Sequence, residues 1–155
     1  MSIALALVLP VQALALSCRG YGVTDAYLRA DAAQAAFVPV LGALQFDPDL
    51  LPAGDPAGAG DASTLLPARF EGVALTRRGI DRPFSTDVVL EVMCTGPWCP
   101  RPEPGAMLGF LRRTSHSYVL VDQPCGAFLF NAPSAAQERA LRDCIAGRGC
   151  PRSAP

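Results

Sequence analysis

Residues 105–121 read GAMLGFLRRTSHSYVLV, and this stretch decides the class of fold. Its two mostly apolar runs flank a polar segment, which is the pattern of two β-strands joined by a turn. The five segments of the chain that combine β-branched or aromatic side chains with alternation are residues 37–46, 68–75, 87–94, 105–111 and 118–121. Short strands separated by turn residues in this way predict a small β-barrel.

Helical patterns stand on either side of the strand-rich region. Residues 25–36 are rich in helix-forming side chains, and Thr24 precedes them as a candidate N-cap. Further along, Ser134 and Gln137 have the spacing of a capping box, and Gly147 provides a helix stop. The sequence therefore predicts a mainly β (α+β) fold: a five-stranded OB-like β-barrel with an N-terminal helix and a C-terminal helix.

The first residues of the chain have the character of an export signal. Residues 2–15 contain no charged side chain and are too short to span a membrane, which needs about 20 apolar residues. We interpret residues 1–15 as a signal peptide cleaved after Ala15, with cleavage after Ser17 as the alternative. A lipoprotein anchored at Cys18 is a further alternative, but it would need leucine where this chain has Ala15. A periplasmic or secreted protein without a transmembrane span is expected.

The chain of 155 residues has room for one domain, and residues 16–155 are predicted to form a single OB-like unit. Proline and glycine recur every few residues over 47–67, which predicts a long loop there. The acidic side chains of this loop are interpreted as solvated charges rather than a calcium site, and they are Asp47, Asp49, Asp55 and Asp61.

The six cysteines are Cys18, Cys94, Cys99, Cys125, Cys144 and Cys150, an even number that in an exported domain predicts three disulfides. Cys94 and Cys99 enclose a turn-forming Thr-Gly-Pro-Trp segment. The five residues between Cys144 and Cys150 include two glycines that allow the chain to fold back. Cys18 is then left to pair with Cys125, although a bridge from Cys18 to Cys94 or Cys99 remains the rival.

A zinc site is the other use for these thiols, because Cys-x4-Cys followed by Cys-x5-Cys supplies four ligands. Paired thiols oxidise outside the cytoplasm, so a disulfide-stabilised domain with no metal and no cofactor is the prediction.

The charge composition argues against one class of partner. The formal net charge is -1, with 13 basic and 14 acidic side chains, and none of the basic residues is lysine. Nucleic-acid binding requires clustered cations that displace counterions from phosphates, so no nucleic-acid partner is predicted.

The only histidine, His116, lies between Ser115 and Ser117 in the polar segment of the predicted hairpin. A serine or cysteine nucleophile would need this residue as its base, and no G-x-S-x-G motif accompanies it. We interpret His116 as an exposed loop residue and predict that the protein is not an enzyme.

Two features are candidates for binding. Trp98, the only tryptophan, lies in a tight turn between two cysteines, where a rigid aromatic makes a good interface anchor or packs over the barrel end. Arg112 and Arg113 lie at the predicted hairpin turn. The arginines that lie in or beside predicted turns, and that would form an anion-binding surface if they converged, are Arg77, Arg78, Arg82, Arg101, Arg112 and Arg113.

The order of these features carries a resemblance over about residues 18–144. A cysteine follows the export signal, a strand over 38–46 has a central glycine, and a loop over 94–99 carries two cysteines. A Gly-x-x-Leu-x-Phe-Leu strand, a strand running into Cys125 and a C-terminal helix complete the order. This arrangement resembles the netrin and tissue-inhibitor-of-metalloproteinases (NTR-like, TIMP-like) type of OB-fold domain, which includes small bacterial exported members.

The resemblance implies a possible role for the first cysteine of the mature chain. In the inhibitors of that family, the α-amino group and carbonyl of an N-terminal cysteine chelate the zinc of the target protease. Only Cys18 matches that position, and the usual Cys-x-Cys start is absent because position 20 is Gly20. The expected function is therefore an exported, non-enzymatic binding domain whose partner is a protein or a cell-envelope component, with a metalloprotease inhibitor using Cys18 as the alternative.

Overall fold

The computed structural model describes residues 18, 20–53, 62–126 and 128–152. Six strands carry the architecture: β1 (Phe37–Phe46), β2 (Ala62–Ala74), β3 (Arg82–Cys94), β4 (Gly105–Arg113), β5 (Tyr118–Asp122) and β6 (Leu129–Asn131). Two helices, α1 (Val23–Asp31) and α2 (Ala135–Ile145), and a short 3-10 helix over Pro48–Leu50 complete the fold. The predicted signal peptide and its cleavage sites, together with Asp55 and Asp61, lie outside the described residues.

Five of the strands close into a barrel. The hydrogen-bonded order is β1-β2-β3-β5-β4, and β4 pairs back onto β1. All of these pairings are antiparallel except that of β3 with β5, which is parallel from Val88↔Tyr118 to Val92↔Asp122. The prediction of an OB-like barrel, with one helix before the strands and one after them along the chain, is confirmed.

The barrel interior is filled by alternate residues of each strand. The fully buried side chains that line it include Val40, Leu44, Phe70, Leu90, Val92, Met107, Leu111 and Leu120. Gly42 and Gly72 lie opposite each other on β1 and β2, and the ring of Phe70 covers both. The two strands approach closely there because neither residue has a Cβ.

A second apolar layer lies between the outer surface of the barrel and the two helices. On β4 all of residues 107–111 are buried, which happens only when both faces of a strand are covered. The ring of Phe128 lies 4.8 Å from that of Phe37 and 6.0 Å from that of Phe110, and the guanidinium of Arg29 stacks on it at 5.2 Å. The helices pack against each other over this layer.

The signals that delimit α2 act as predicted. Ser134 Oγ accepts the N–H of Gln137, and Gln137 Oε1 accepts the N–H of Ser134. At the other end, Gly147 has a φ of 71°, its N–H bonds Cys144 O, and the N–H of Arg148 bonds Asp143 O. These two bonds form a Schellman motif, which requires a residue in the left-handed region.

Helix α1 differs from its prediction at both ends. Gly22, not Thr24, is the N-cap, and the carboxylate of Asp25 accepts the Gly22 N–H at 3.0 Å, while Thr24 lies buried in the first turn. The helix ends at Asp31 instead of continuing to residue 36, because the carbonyl of Ala36 accepts the N–H of Arg113 on β4 and strand β1 begins at the next residue.

The predicted loop over 47–67 was too long. Its first part contains the 3-10 helix, in which the Asp47 carboxylate accepts the N–H of Asp49. Its last part belongs to β2, which begins at Ala62. The strand tolerates Pro67 because this residue lies beyond the last β1 pair, Phe46↔Ala68, so that no neighbouring strand needs its missing N–H.

Candidate functional site

The three disulfides pair as the cysteine spacing favoured. Cys18 bonds Cys125, Cys94 bonds Cys99 and Cys144 bonds Cys150, with Cα separations of 5.4, 4.3 and 4.6 Å. No free cysteine is found in the described part of the chain. The rival bridge from Cys18 to Cys94 or Cys99 is thus wrong.

One end of the barrel gathers several connecting segments, and we call it the Trp98 end. Strands β1, β3 and β5 finish there, so the segments that follow them, 47–53, 95–104 and 123–126, lie at that end. The guanidinium of Arg101 donates a 3.2 Å hydrogen bond to the carbonyl of Ala53, which joins the first two segments.

Trp98 is held rigidly within this end. Its backbone exchanges two hydrogen bonds with Thr95, at 2.9 and 3.2 Å, inside the loop closed by the Cys94–Cys99 disulfide. Gly96 adopts a φ of 55°, and its position lies under the indole ring. The residue keeps 36% of its surface exposed, so it packs in part on its own turn and in part faces solvent.

Two further large apolar side chains are exposed on elements that run to this end of the barrel. Leu50, in the 3-10 helix that follows β1, is 49% exposed. Leu65 projects outward from the first half of β2 and is 64% exposed. The Trp98 end therefore presents large apolar side chains from two of its connecting segments, and Leu65 lies on the wall of the barrel toward the same end.

Arg112 and Arg113 lie far along β4 from this end, so the structure does not bring the two sets of binding candidates together. Arg112 reaches across β5 to the carboxylate of Glu91 at 3.4 Å, and its Nε is buried with no partner in the described chain. Glu91 also accepts the hydroxyl of Ser63. Arg112 is thus half-buried in a polar contact on the barrel wall, whereas Arg113 is exposed.

The arginines of the predicted turns converge only in part. Arg77 and Arg78 meet two residues of the α2 region, Arg142 and Arg148, around a cavity of about 310 Å³. Arg101 lies at the Trp98 end instead. The members that have carboxylate partners are Arg77 with Asp31, Arg142 with Asp81 and Arg148 with Asp143, so most of the local charge is balanced.

His116 lies in the β4–β5 turn and is exposed. Its backbone N–H donates to Thr114 Oγ1, and within the described residues its imidazole has no hydrogen-bond partner. The hydroxyl of Thr114 also receives the N–H of Ser117, so the turn is ordered by its own side chains.

Asp122 is a group that the sequence did not single out. It follows the apolar residues of β5, and because Leu120 points into the barrel, Asp122 does too and is 7% exposed. Burial raises the pKa of this carboxyl from 3.8 to about 7, although the Gln123 backbone N–H hydrogen bond opposes the shift. The only signal in the sequence was the alternation of β5 itself.

No helix in the described residues is both long enough and apolar enough to cross a membrane. The same residues contain no group of three or more histidine, cysteine, aspartate or glutamate side chains placed to hold a metal ion. Comparisons with protein-family models, with curated proteins and with solved structures find no match to this chain.

Proposed function

We propose that the protein is an exported, non-enzymatic binding domain that contacts a partner protein through the Trp98 end. The observation that carries the proposal is the tryptophan itself, which is fixed by two backbone hydrogen bonds and a disulfide yet remains 36% exposed. A rigid aromatic loses little conformational entropy on binding, and tryptophan is enriched among the residues that dominate interface energies.

The rest of the surface around Trp98 fits a protein partner better than a charged polymer. Leu50 is a second exposed apolar side chain on a segment at this end of the barrel. Arg101 is a polar residue of the same end, and its guanidinium donates a hydrogen bond to Ala53 O. Apolar centres with polar rims are typical of protein interfaces.

Export is supported by the cysteines. All six form disulfides, and disulfides persist in oxidising compartments and are rare in the cytosol. The apolar residues at the start of the chain support the same location. We propose a periplasmic or secreted protein on these two grounds.

The proposed relation to NTR-like domains has support from the strand order and from the two helices that pack together on one side of the barrel. Gly20 still departs from the Cys-x-Cys pattern of the inhibitors.

Position-specific photo-crosslinking tests the proposal. A benzophenone amino acid replaces Trp98 in one variant and Ile80 in a control, since Ile80 is 71% exposed in the β2–β3 turn at the opposite end. In cells that produce the full sequence, the variant at 98 should give a protein adduct of discrete mass, and the variant at 80 should not.

A competition experiment shows whether formation of that adduct depends on the indole of Trp98. Added wild-type protein should suppress the adduct, and added Trp98→Ala protein should fail to do so. Equal adducts from both positions, or an adduct at 80 alone, would overturn the proposal. The absence of a protein adduct at position 98 would overturn it as well.

A second candidate function is favoured by the position of Cys18. This residue is exposed, and its disulfide to Cys125 holds it at the same end of the barrel as Trp98. An α-amino group on Cys18 would therefore stand at an accessible edge, as the inhibitor mechanism needs. N-terminal sequencing of the mature protein tests the inhibitor function. A chain that begins at Leu16 has no free amine on Cys18 and would rule that function out.

A further inference from the structure

One edge of β3 has no strand beside it in the described chain. Along residues 82–87 the strand pairs with β2, from Ala74↔Arg82 to Arg69↔Asp87. The β5 ladder on its other side begins only at Val88↔Tyr118. This segment, which we call the open edge, lies at the end of the barrel opposite Trp98.

The hydrogen bonds of β1 and β2 show which backbone groups face the open edge. The N–H of Leu75 donates to Pro39 O at 2.9 Å, so odd-numbered residues of β2 direct their backbone groups toward β1 and even-numbered ones toward β3. The β2–β3 register pairs even with even residues, as in Phe70↔Thr86. The backbone groups of Pro83, Ser85 and Asp87 therefore point away from β2.

These groups offer a template for one more strand. Pro83 has no N–H but presents its carbonyl, Ser85 presents both a donor and an acceptor, and Asp87 presents its N–H. Extended peptides bind such edges through main-chain hydrogen bonds at alternate residues.

A cavity of about 420 Å³ lies beside the open edge. Thr86 and Asp87 line it on the β3 side, and the β4–β5 turn, residues 114–117, forms the facing wall. That wall is ordered, because the N–H of Thr114 and the N–H of Ser117 both take part in hydrogen bonds across the turn, each at 2.9 Å. The edge and the turn together form a slot that an extended chain can enter.

Apart from Asp87, which is paired with Arg69, the charged side chains around the slot are arginines. Arg82 and Arg113 are exposed and have no ion-pair partner among the described residues, and His116 is exposed nearby. The carboxylate of Asp87 is already engaged by Arg69 at 3.0 Å. An occupant with acidic side chains is therefore favoured.

We propose that the open edge of β3 binds an extended, acidic segment of a partner protein as an added strand. A second copy of this chain is disfavoured, because pairing two open edges would bring the unpaired arginines Arg82 and Arg113 of the two copies close together. Pro83, which has no backbone N–H, would also leave an acceptor of the other copy without a donor. This surface is separate from the Trp98 end, so the two proposals fail independently.

The test uses three synthetic heptapeptides added to isotope-labelled protein. One alternates valine with glutamate, a second alternates valine with lysine, and a third is the glutamate peptide with N-methylated backbone amides. The glutamate peptide should bind with a Kd of about 1 mM or tighter and shift the amide resonances of Ser85, Asp87 and His116. The N-methylated peptide should not bind, because it cannot complete the ladder.

Two variants locate the site without altering the strand. Arg113→Glu should weaken binding of the glutamate peptide by about tenfold or more, whereas Arg139→Glu, exposed on α2, should leave it unchanged. Equal binding of the lysine peptide, retained binding of the N-methylated peptide, or shifts centred on Trp98 would overturn the proposal. So would no shift at all, or a dimer formed by the wild-type protein alone.

Discussion

Arg142 on α2 binds Asp81, the last residue of the β2–β3 turn, with two hydrogen bonds, Nη1 to Oδ1 at 3.0 Å and Nη2 to Oδ2 at 2.8 Å. Both side chains are about two-thirds covered or more, at 35% and 25% exposed. The hydrogen bonds to Asp81 raise the pKa of Arg142. This paired contact fixes the C-terminal helix to the end of a hairpin that is 61 residues away in sequence.

We expect Arg142→Lys to lower the free energy of unfolding by about 1 kcal/mol, because a lysine ammonium cannot make the two parallel bonds. Urea denaturation at pH 7 measures the change. Arg69→Lys is the control, since Asp87, one of its partners, has a side chain that is 89% exposed, and exposed pairs contribute little. An equal loss in both variants would contradict the special role of Arg142.

Asp122 predicts an unusual pH dependence. Its folded-state pKa of about 7 lies above the unfolded value of 3.8, so the folded protein holds a proton that the unfolded chain releases. The stability from this group is full below about pH 4 and is lost as the pH rises to about 7. Asp122→Asn should remove that slope and raise the free energy of unfolding at pH 7.5 by an amount on the order of 3 kcal/mol.

Unfolding by urea at several pH values between 4 and 8 measures the difference between wild type and the Asp122→Asn variant. Leu120→Val, which changes packing on the same face of β5, should lower stability by a similar amount at every pH. A difference that does not vary with pH for Asp122→Asn would show that the carboxyl stays charged in the folded state.

The five barrel strands were predictable because their signals are local, although β2 begins at Ala62 instead of residue 68 and β3 at Arg82 instead of residue 87. Residues 37–46 alternate and match β1 at both ends, and the Cys94–Cys99 turn is closed by two residues only five positions apart. The capping box of Ser134 and Gln137 likewise operates within one helical turn. Features of this kind depend only on residues that are close together in the sequence, so one sequence is enough to predict them.

The remaining features depend on register between distant strands. The parallel pairing of β3 with β5 and the three-residue β6 have no local pattern, and Asp122 becomes a buried carboxyl only when Leu120 is known to point inward. Arg142 and Arg148 joined the cluster at the β2–β3 turn because α2 packs there, which no spacing along the chain indicated.

The longest and the shortest of the three disulfide loops should differ in their contribution to the free energy of unfolding. Cys18–Cys125 spans 107 residues, whereas Cys94–Cys99 spans 5. Chain entropy predicts a loss of about 4 to 5 kcal/mol when the long bridge is replaced by two serines and about 2 kcal/mol for the short one. Thermal unfolding of the two double variants measures this order, and a larger loss for the short bridge would contradict it.

Gly42 should tolerate no side chain. A Cβ built there lies 2.7 Å from the Gly72 Cα and 2.9 Å from Cζ of Phe70, closer than real Cβ contacts, and the Gly72 position is equally tight. Because backbone on the opposite strand cannot move without opening the barrel, Gly42→Ala should cost about 3 kcal/mol or more. The control is Gly79→Ala, where nothing lies within 4 Å but φ is 70°, so backbone strain alone should cost about 1 kcal/mol. Urea denaturation compares the two, and equal losses would show that β1 and β2 separate more easily than their contact implies.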